Sequence, residues 1–223
     1  MELEVGVQKW VVELSKWKPS SQDFADAMAL LPQHEHLSIT RFVKFEDQKR
    51  ALTSRLLQYA LVHQVLNLRF EEIAIRRTLE GKPYLVCDNM KSMRFPNFNF
   101  NVSHHGDYVG IASEPLCLVG LDIVSYSLPE NESVHEFLRS FLSYFTQLEW
   151  RNIFSSGSSR EMLKTFYRYW SLKEAFVKAT GTGVGYKLDS VEFHHTCWDN
   201  ISVRVADKEL SDWKFWCLEL DPN

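Results

Sequence analysis

Cysteine is scarce in this chain of 223 residues, and the four present, Cys87, Cys117, Cys197 and Cys217, are scattered. They form no CxxC pair and lack the close spacing of a zinc site, which excludes a disulfide framework and a structural zinc module and leaves packing residues in a reducing compartment. No apolar run reaches the roughly 18 residues a membrane span needs. The first residues, MELEVGVQKW, are acidic and have neither an apolar signal core nor an Arg/Ser-rich transit composition. A soluble, cytosolic protein without membrane attachment is expected. Neither sign of charge dominates: the formal net charge is −4 and the pI about 6.1. Without a global basic field a nucleic-acid partner is not expected, and any phosphate ligand must be held by local groups. There is no short-period repeat and no low-complexity tract.

What is present is enough apolar material for a core. Hydrophobic residues make up 45% and charged residues 24%, which fits one domain or two small, closely packed lobes. Val7, Val11, Val12 and Leu14 predict a strand over 7–15. Pro19-Ser20-Ser21 then predicts a turn whose serines cap a short helix. From Arg41 to about Leu68, apolar residues such as Phe42, Phe45, Leu52, Leu56, Ala60 and Val65 recur at three- and four-residue steps. They predict a long amphipathic helix with Lys49, Arg50 and Arg55 between them. Short β-prone runs follow near 72–77, 84–87, 98–103, 108–113 and 117–124, a small antiparallel sheet. Thr146-Gln-Leu-Glu149 has the capping-box pattern, and Ser155 to Ser159 breaks that helix before another that carries Trp170 to Lys178 and ends at Gly181, Gly183 and Gly185. Further β-prone runs lie near 190–195, 200–205 and 213–220. Helix followed by strands thus occurs once in each half, which predicts two similar α+β lobes joined near Ser125 to Asn131.

Four stretches can carry chemistry. In Trp170-Ser-Leu-Lys-Glu-Ala-Phe-Val-Lys178, residues four apart share one helical stripe, so Trp170, Glu174 and Lys178 align while Lys173 points elsewhere. The pair Glu174 and Lys178 reads either as a surface ion pair or as part of a site for metal-bound phosphate. In Phe98-Asn-Phe-Asn-Val-Ser-His-His-Gly-Asp-Tyr108 an alternating strand brings Asn101, Ser103 and His104 to its end before a glycine turn. These are phosphate donors or simply side chains that satisfy a hairpin. Asp122 interrupts the apolar run Val119-Gly-Leu-Asp-Ile-Val124, and a carboxylate there must be paired, hydrogen-bonded or bound to a cation. A hard cation such as Mg²⁺ takes one or two carboxylates with water and substrate phosphate completing its shell; a turn-capping aspartate is the alternative. Arg76-Arg77-Thr78-Leu-Glu-Gly81-Lys82-Pro83 presents a lysine on a flexible turn, in isolation an exposed basic turn. Gly181-Thr-Gly-Val-Gly185 is weak as a nucleotide loop because it follows a helix where the dinucleotide fingerprint follows a strand.

Taken together and in this order, the Gly-Lys-Pro turn, the Asn-Val-Ser-His-His strand end, the Gly-Leu-Asp-Ile-Val aspartate and the Trp170 to Lys178 helix resemble the 4'-phosphopantetheinyl transferases of the Sfp type. The resemblance covers most of the chain and is nearest to the eukaryotic aminoadipate-semialdehyde dehydrogenase phosphopantetheinyl transferase kind. It implies an α+β fold of two pseudo-twofold lobes, residues 1–125 and 126–223, with coenzyme A and Mg²⁺ in the cleft between them, and a monomer. It implies a holo-acyl-carrier-protein synthase. The serine of an apo acyl or peptidyl carrier protein attacks the β-phosphate of coenzyme A, and adenosine 3',5'-bisphosphate leaves. It implies Asp122 and Glu174 as metal ligands, with Glu174 or a polarised water as the base, and Lys178 as the cation on the pyrophosphate. It also implies Ser103 and His104 on coenzyme A phosphate, Asn101 ordering the strand end, and Arg77, Thr78, Gly81 and Lys82 along the adenine nucleotide.

The chain departs from the family pattern in three places. Val124 stands where bacterial members carry a second acid, and His105 where eukaryotic ones often have Gln; since imidazole is a poor Mg²⁺ ligand, His105 is expected outside the metal shell. Ser38 replaces a basic residue, and Arg41 is expected to take over its 3'-phosphate contact. Only Asp221-Pro-Asn223 follows the run Trp213-Lys-Phe-Trp-Cys-Leu-Glu-Leu220, so the second lobe is expected to lack an edge strand. The rival function is a non-catalytic coenzyme A or carrier-protein binding module. A nucleic-acid adaptor would rest on Lys49, Arg50 and Arg55 alone, and a hydrolase on Ser103 and His104 without a partner acid.

Overall fold

The computed structural model describes residues 7–86, 95–183 and 185–220. Cys87 and the end of the 84–87 run lie outside them. The described chain mixes helix and sheet, the α+β class, and divides into two compact units, one of residues 1–123 and 177–183, the other of 124–176 and 184–223.

The first unit is built on a three-stranded antiparallel sheet. Strand β1 (Gln8–Glu13) pairs with β5 (Tyr108–Glu114), which pairs in turn with β4 (Asn99–His105). Between β1 and β4 the chain forms helices α1 (Ser21–Ala29), α2 (Gln33–Thr40) and α3 (Phe45–Leu66), then the hairpin β2 (Ala74–Arg77) and β3 (Pro83–Val86). The predicted serine cap is real: Ser20 and Asp23 form a reciprocal capping box at the start of α1. The long helix starts at Phe45, four residues later than the periodicity predicts, because α2 ends at Thr40 and residues 41–44 turn the chain. Its buried face is Leu52, Tyr59, Leu61 and Val62, packed with Phe100 and Ile111 of the sheet. Phe45 is largely exposed.

The three basic residues of α3 are engaged within the unit. Lys49 is buried, with its ammonium 3.4 Å from Leu14 O and 3.1 Å from Glu46. Arg50 donates to Gly106 O at 2.9 Å and pairs with Asp47 at 2.6 Å. Arg55 pairs with the buried Glu35 at 2.9 Å.

The second unit gathers α4 (Val134–Arg139), α5 (Gln147–Ser155) and most of α6 (Ser159–Thr180) with a sheet of β6 (Val191–Thr196), β7 (Asp199–Val205) and the two-residue β8 (Lys208–Glu209). The predicted capping box opens α5, with Thr146 and Glu149 as its partners. Glu149 does more than cap, because it and Lys173 of α6 are fully buried and 2.8 Å apart. The lysine also donates to Leu188 O at 2.8 Å and to Val191 O, and the Phe193 N–H donates to Glu149 at 3.0 Å. Burial pushes the Glu149 carboxyl up and the Lys173 ammonium down, each opposed by the charge of the other. Trp170 packs edge-on against Phe141 and Tyr144, so the indole of the Trp170, Glu174 and Lys178 stripe is a core group.

Two predicted strands are absent as ladders. Residues 213–220 form no regular element, and aromatic side chains of the segment pack into the unit: Trp213 lies against Phe176 and Phe215 against Phe193. Residues 117–124 likewise form no strand, for a reason that bears on the site. The cysteines also differ from the expectation of packing residues: Cys117 and Cys197 are exposed and Cys217 is half-buried, all three as free thiols.

Candidate active site

Along β4 the sequence alternates Phe100 and Val102 with Asn99, Asn101 and Ser103, and a strand sends these two sets to opposite faces of its sheet. Phe100 joins the α3 core. The polar set accepts hydrogen bonds from the segment that follows β5. Val119 N–H donates to Asn99 Oδ1 at 2.9 Å, Leu121 N–H to Asn101 Oδ1 at 3.0 Å, and Ile123 N–H to Ser103 Oγ at 3.1 Å. Two residues of one segment advance for two of the other, the repeat of extended chain. The predicted strand over 117–124 is thus held by side chains in place of backbone carbonyls. Gly110, opposite Ser103 in the register, makes room for it. A Cβ there would stand 2.8 Å from Ile123 Cδ1 and 3.1 Å from Leu121 Cδ2.

This ladder delivers Asp122. Its side chain is 9% exposed, and Oδ1 receives the Lys178 ammonium at 2.6 Å. Lys178 also donates to Ser103 Oγ at 3.0 Å, and the Ser103 hydroxyl has a long 3.5 Å contact with the same Oδ1. Asp122, Ser103 and Lys178 therefore form one cluster within the first unit. Glu174 lies one turn before Lys178 on α6 and is half-buried.

The end of α6 that carries Lys178 is closed by two devices. Gly181 takes a left-handed φ of +70° and its N–H bonds Val177 O at 2.9 Å. The Lys82 ammonium donates to Ala179 O at 2.5 Å, a cation on the carbonyl end of a helix, and burial lowers its pKa. Lys82 is thus placed on a helix end. Its turn is tight: Thr78 Oγ1 accepts from Lys82 N–H at 3.2 Å, Gly81 has a φ of +89°, and Arg77 donates to Gly81 O at 2.8 Å.

Arg77 is exposed at the end of β2. Its pKa is held below the usual guanidinium value, first by desolvation among neighbouring chain and then by Arg55 and Arg41, with Glu35 acting the other way. Arg41 and Arg55 thus act on Arg77 electrostatically, while Glu35, the partner of Arg55, offsets part of their charge. Arg55 lacks any motif, and only its distance from Glu35 reveals it. Ser38 Oγ accepts from Arg55 at 3.4 Å. Arg41, at the end of α2, is exposed, its guanidinium 5.1 Å from the centre of the Phe42 ring.

His104 is lowered in pKa by desolvation, then by the nearby cations Arg50 and Lys178, so its imidazole is neutral at pH 7. Being next to Ser103 in a strand, it projects to the other face. The Ser103 hydroxyl accepts from Lys178 and Ile123 and lies 3.5 Å from Asp122 Oδ1, so Ser103 and His104 do not form a hydrolase pair.

Among the described residues no group of three or more His, Cys, Asp and Glu side chains is placed to hold a metal ion. Asp122 has the chemistry of a hard-cation ligand: its contacts with Ser103 and Lys178 both fall on Oδ1 of its carboxylate. A Mg²⁺ ion bound through one or two carboxylates completes its shell with water and substrate phosphate.

Two family models match the chain. The family described as "4'-phosphopantetheinyl transferase, N-terminal" matches residues 15–116, and the "4'-phosphopantetheinyl transferase superfamily" matches residues 118–222. A protein of Schizosaccharomyces pombe named L-aminoadipate-semialdehyde dehydrogenase-phosphopantetheinyl transferase is 30% identical, over 96% of this chain and 86% of its own length. The chain belongs to the 4'-phosphopantetheinyl transferase superfamily. Within that superfamily, the Mus musculus L-aminoadipate-semialdehyde dehydrogenase-phosphopantetheinyl transferase is 40% identical over 83% of this chain. A phosphopantetheinyl transferase of Thraustochytrium is 35% identical over 84% of it. The chain spans 59% of the length of the mouse transferase and 65% of the Thraustochytrium one. No described helix is long and apolar enough to cross a membrane.

Proposed function

We propose that this chain transfers the 4'-phosphopantetheine group from coenzyme A to a serine of an apo acyl or peptidyl carrier protein, a holo-acyl-carrier-protein synthase activity. The bond formed joins the serine Oγ to the β-phosphorus of coenzyme A. The bond broken is the pyrophosphate linkage, so adenosine 3',5'-bisphosphate leaves with the electron pair. The serine proton must go to a base, and Glu174 or a nearby water takes it.

Lys178 and Asp122 support this reading most directly. An ammonium held 2.6 Å from a nearly buried carboxylate is fixed in position before substrate arrives, and phosphoryl-type transfer depends mainly on such positioned charge. Lys178 supplies positive charge for the pyrophosphate. Asp122 and Glu174 would hold Mg²⁺, which when bound neutralises charge on the bridging and leaving oxygens. Arg41, Arg55 and Arg77 supply the local basic group that the acidic chain otherwise lacks, suited to the 3'-phosphate. Arg41 stands in for the cation missing at Ser38. Thr78 and Gly81 shape the turn beside the adenine nucleotide, and Lys82 fixes it against the end of α6. Neutral His104 offers a hydrogen bond to phosphate without adding charge.

Variants test the assignment. Asp122→Asn, Glu174→Gln and Lys178→Met, each checked by circular dichroism for an intact fold, should lower the rate of carrier modification by about 10²–10³. Folded Asp122→Asn and Glu174→Gln proteins that still transfer at the parental rate would overturn it.

A further inference from the structure

We infer that Asn101 is a positioning residue for the reaction: its side-chain oxygen fixes the backbone of Leu121 and so holds Asp122 beside Lys178. The inference rests on the transferase reading, and it says what Asn101, expected to order the strand end, holds in place. Three observations support it independently. Asn101 is 3% exposed and its Oδ1 accepts from Leu121 N–H at 3.0 Å, the bond immediately before Asp122. The bonds from Val119 to Asn99 and from Ile123 to Ser103 repeat the same relation two residues on either side. Gly110 leaves the face of the sheet open for Leu121 and Ile123.

An extended segment pinned by its alternate amides cannot slide by one residue without moving a carboxylate to the other side. A backbone carbonyl ladder would serve the same end with any sequence. Here the register depends on three particular side chains, and Ser103 at the last rung also receives Lys178. The rungs thus set both the height of Asp122 and its distance from the cation. Because a displacement of about 1 Å in a reacting group costs up to about 100-fold in rate, loss of the middle rung should act on turnover more than on binding.

The test combines amide hydrogen exchange by NMR with steady-state transfer to an apo acyl carrier protein. In the parent protein the amides of residues 119, 121 and 123 should exchange slowly and those of 120, 122 and 124 quickly. Asn101→Leu should free Leu121 for exchange and lower kcat by about 10- to 100-fold, with the KM for coenzyme A held within about twofold. Asn101→Asp, which keeps the acceptor oxygen, should keep Leu121 protected. If Asn101→Leu does not fold, Asn101→Ala carries the same readouts. Unchanged kcat with a freed Leu121 amide would overturn the inference, as would a raised KM at unchanged kcat, which marks direct contact with coenzyme A. A parent protein that transfers nothing overturns the transferase reading itself. Exchange at Leu121 then decides separately whether Asn101 holds this segment.

Discussion

Replacing Lys173 by methionine should remove the central tie of the second unit. Lys173 and Glu149 are both 0% exposed and 2.8 Å apart, and losing one partner of such a pair costs about 3–5 kcal/mol because the other stays buried without compensation. Against a typical net stability of about 5–15 kcal/mol, this is about a fifth or more. It corresponds to a fall in Tm of roughly 6–20 °C for a chain of this size. Urea denaturation followed by circular dichroism reads it directly. The pH dependence has a definite sign. Burial already raises the Glu149 pKa above its ordinary 4.5, and Lys173 is what opposes the rise. Without the lysine the folded protein holds the Glu149 proton more tightly than the unfolded chain does. Stability contributed by that proton is present below 4.5 and is lost as pH rises through the folded pKa. Adding Glu149→Gln to Lys173→Met should recover part of the loss, since an amide oxygen still accepts the Phe193 N–H, with a coupling of about 0.5–3 kcal/mol. A loss under about 1 kcal/mol, the range of an exposed pair, or strict additivity of the two changes, would refute the reasoning.

Other perturbations have equally definite outcomes. Gly110→Val should cost about 1–3 kcal/mol by overpacking and speed amide exchange at Leu121 and Ile123, whereas unchanged exchange would mean that the segment does not rest on the sheet. Lys82→Met removes the cation from Ala179 O and should cost about 0.3–2 kcal/mol, read by thermal unfolding. His104 should titrate by NMR below its ordinary 6.5. Its folded pKa being depressed, the unfolded chain binds more protons in that window. Its share of stability is complete above 6.5 and falls as pH drops toward the folded value, so His104→Asn should flatten that slope.

Much of this architecture can be read in the sequence, because its signals are local. The serine cap before α1, the Thr146 to Glu149 capping box and the break at residues 155–159 all depend on bonds within a few residues. So does the turn of Gly181. The resemblance placed Asp122, Glu174 and Lys178 together in chemistry, and the structure joins Asp122 and Lys178 through side chains 56 positions apart. The run at 117–124 misled because its alternation is that of a strand, while its amides bond side chains, which a periodicity cannot distinguish. The alternation Asn99, Asn101, Ser103 against Phe100 and Val102 did carry the signal of a polar strand face, but nothing local says what that face binds. Arg55, Glu35 and the Lys173 to Glu149 pair were hidden for the same reason: a charged residue in a helix reads as solvated until its distant partner is known. The run at 213–220 is aromatic enough for a strand, yet it forms no regular element, and its rings Trp213 and Phe215 pack against Phe176 and Phe193.

The most direct test of the account is mass spectrometry of an apo acyl carrier protein incubated with this protein and coenzyme A, with Mg²⁺ or with a chelator. The account predicts a gain of one phosphopantetheine mass on the carrier serine with Mg²⁺ and none with the chelator. No gain on acyl and peptidyl carriers alike, from a folded protein that still binds coenzyme A, would contradict it and favour a binding module.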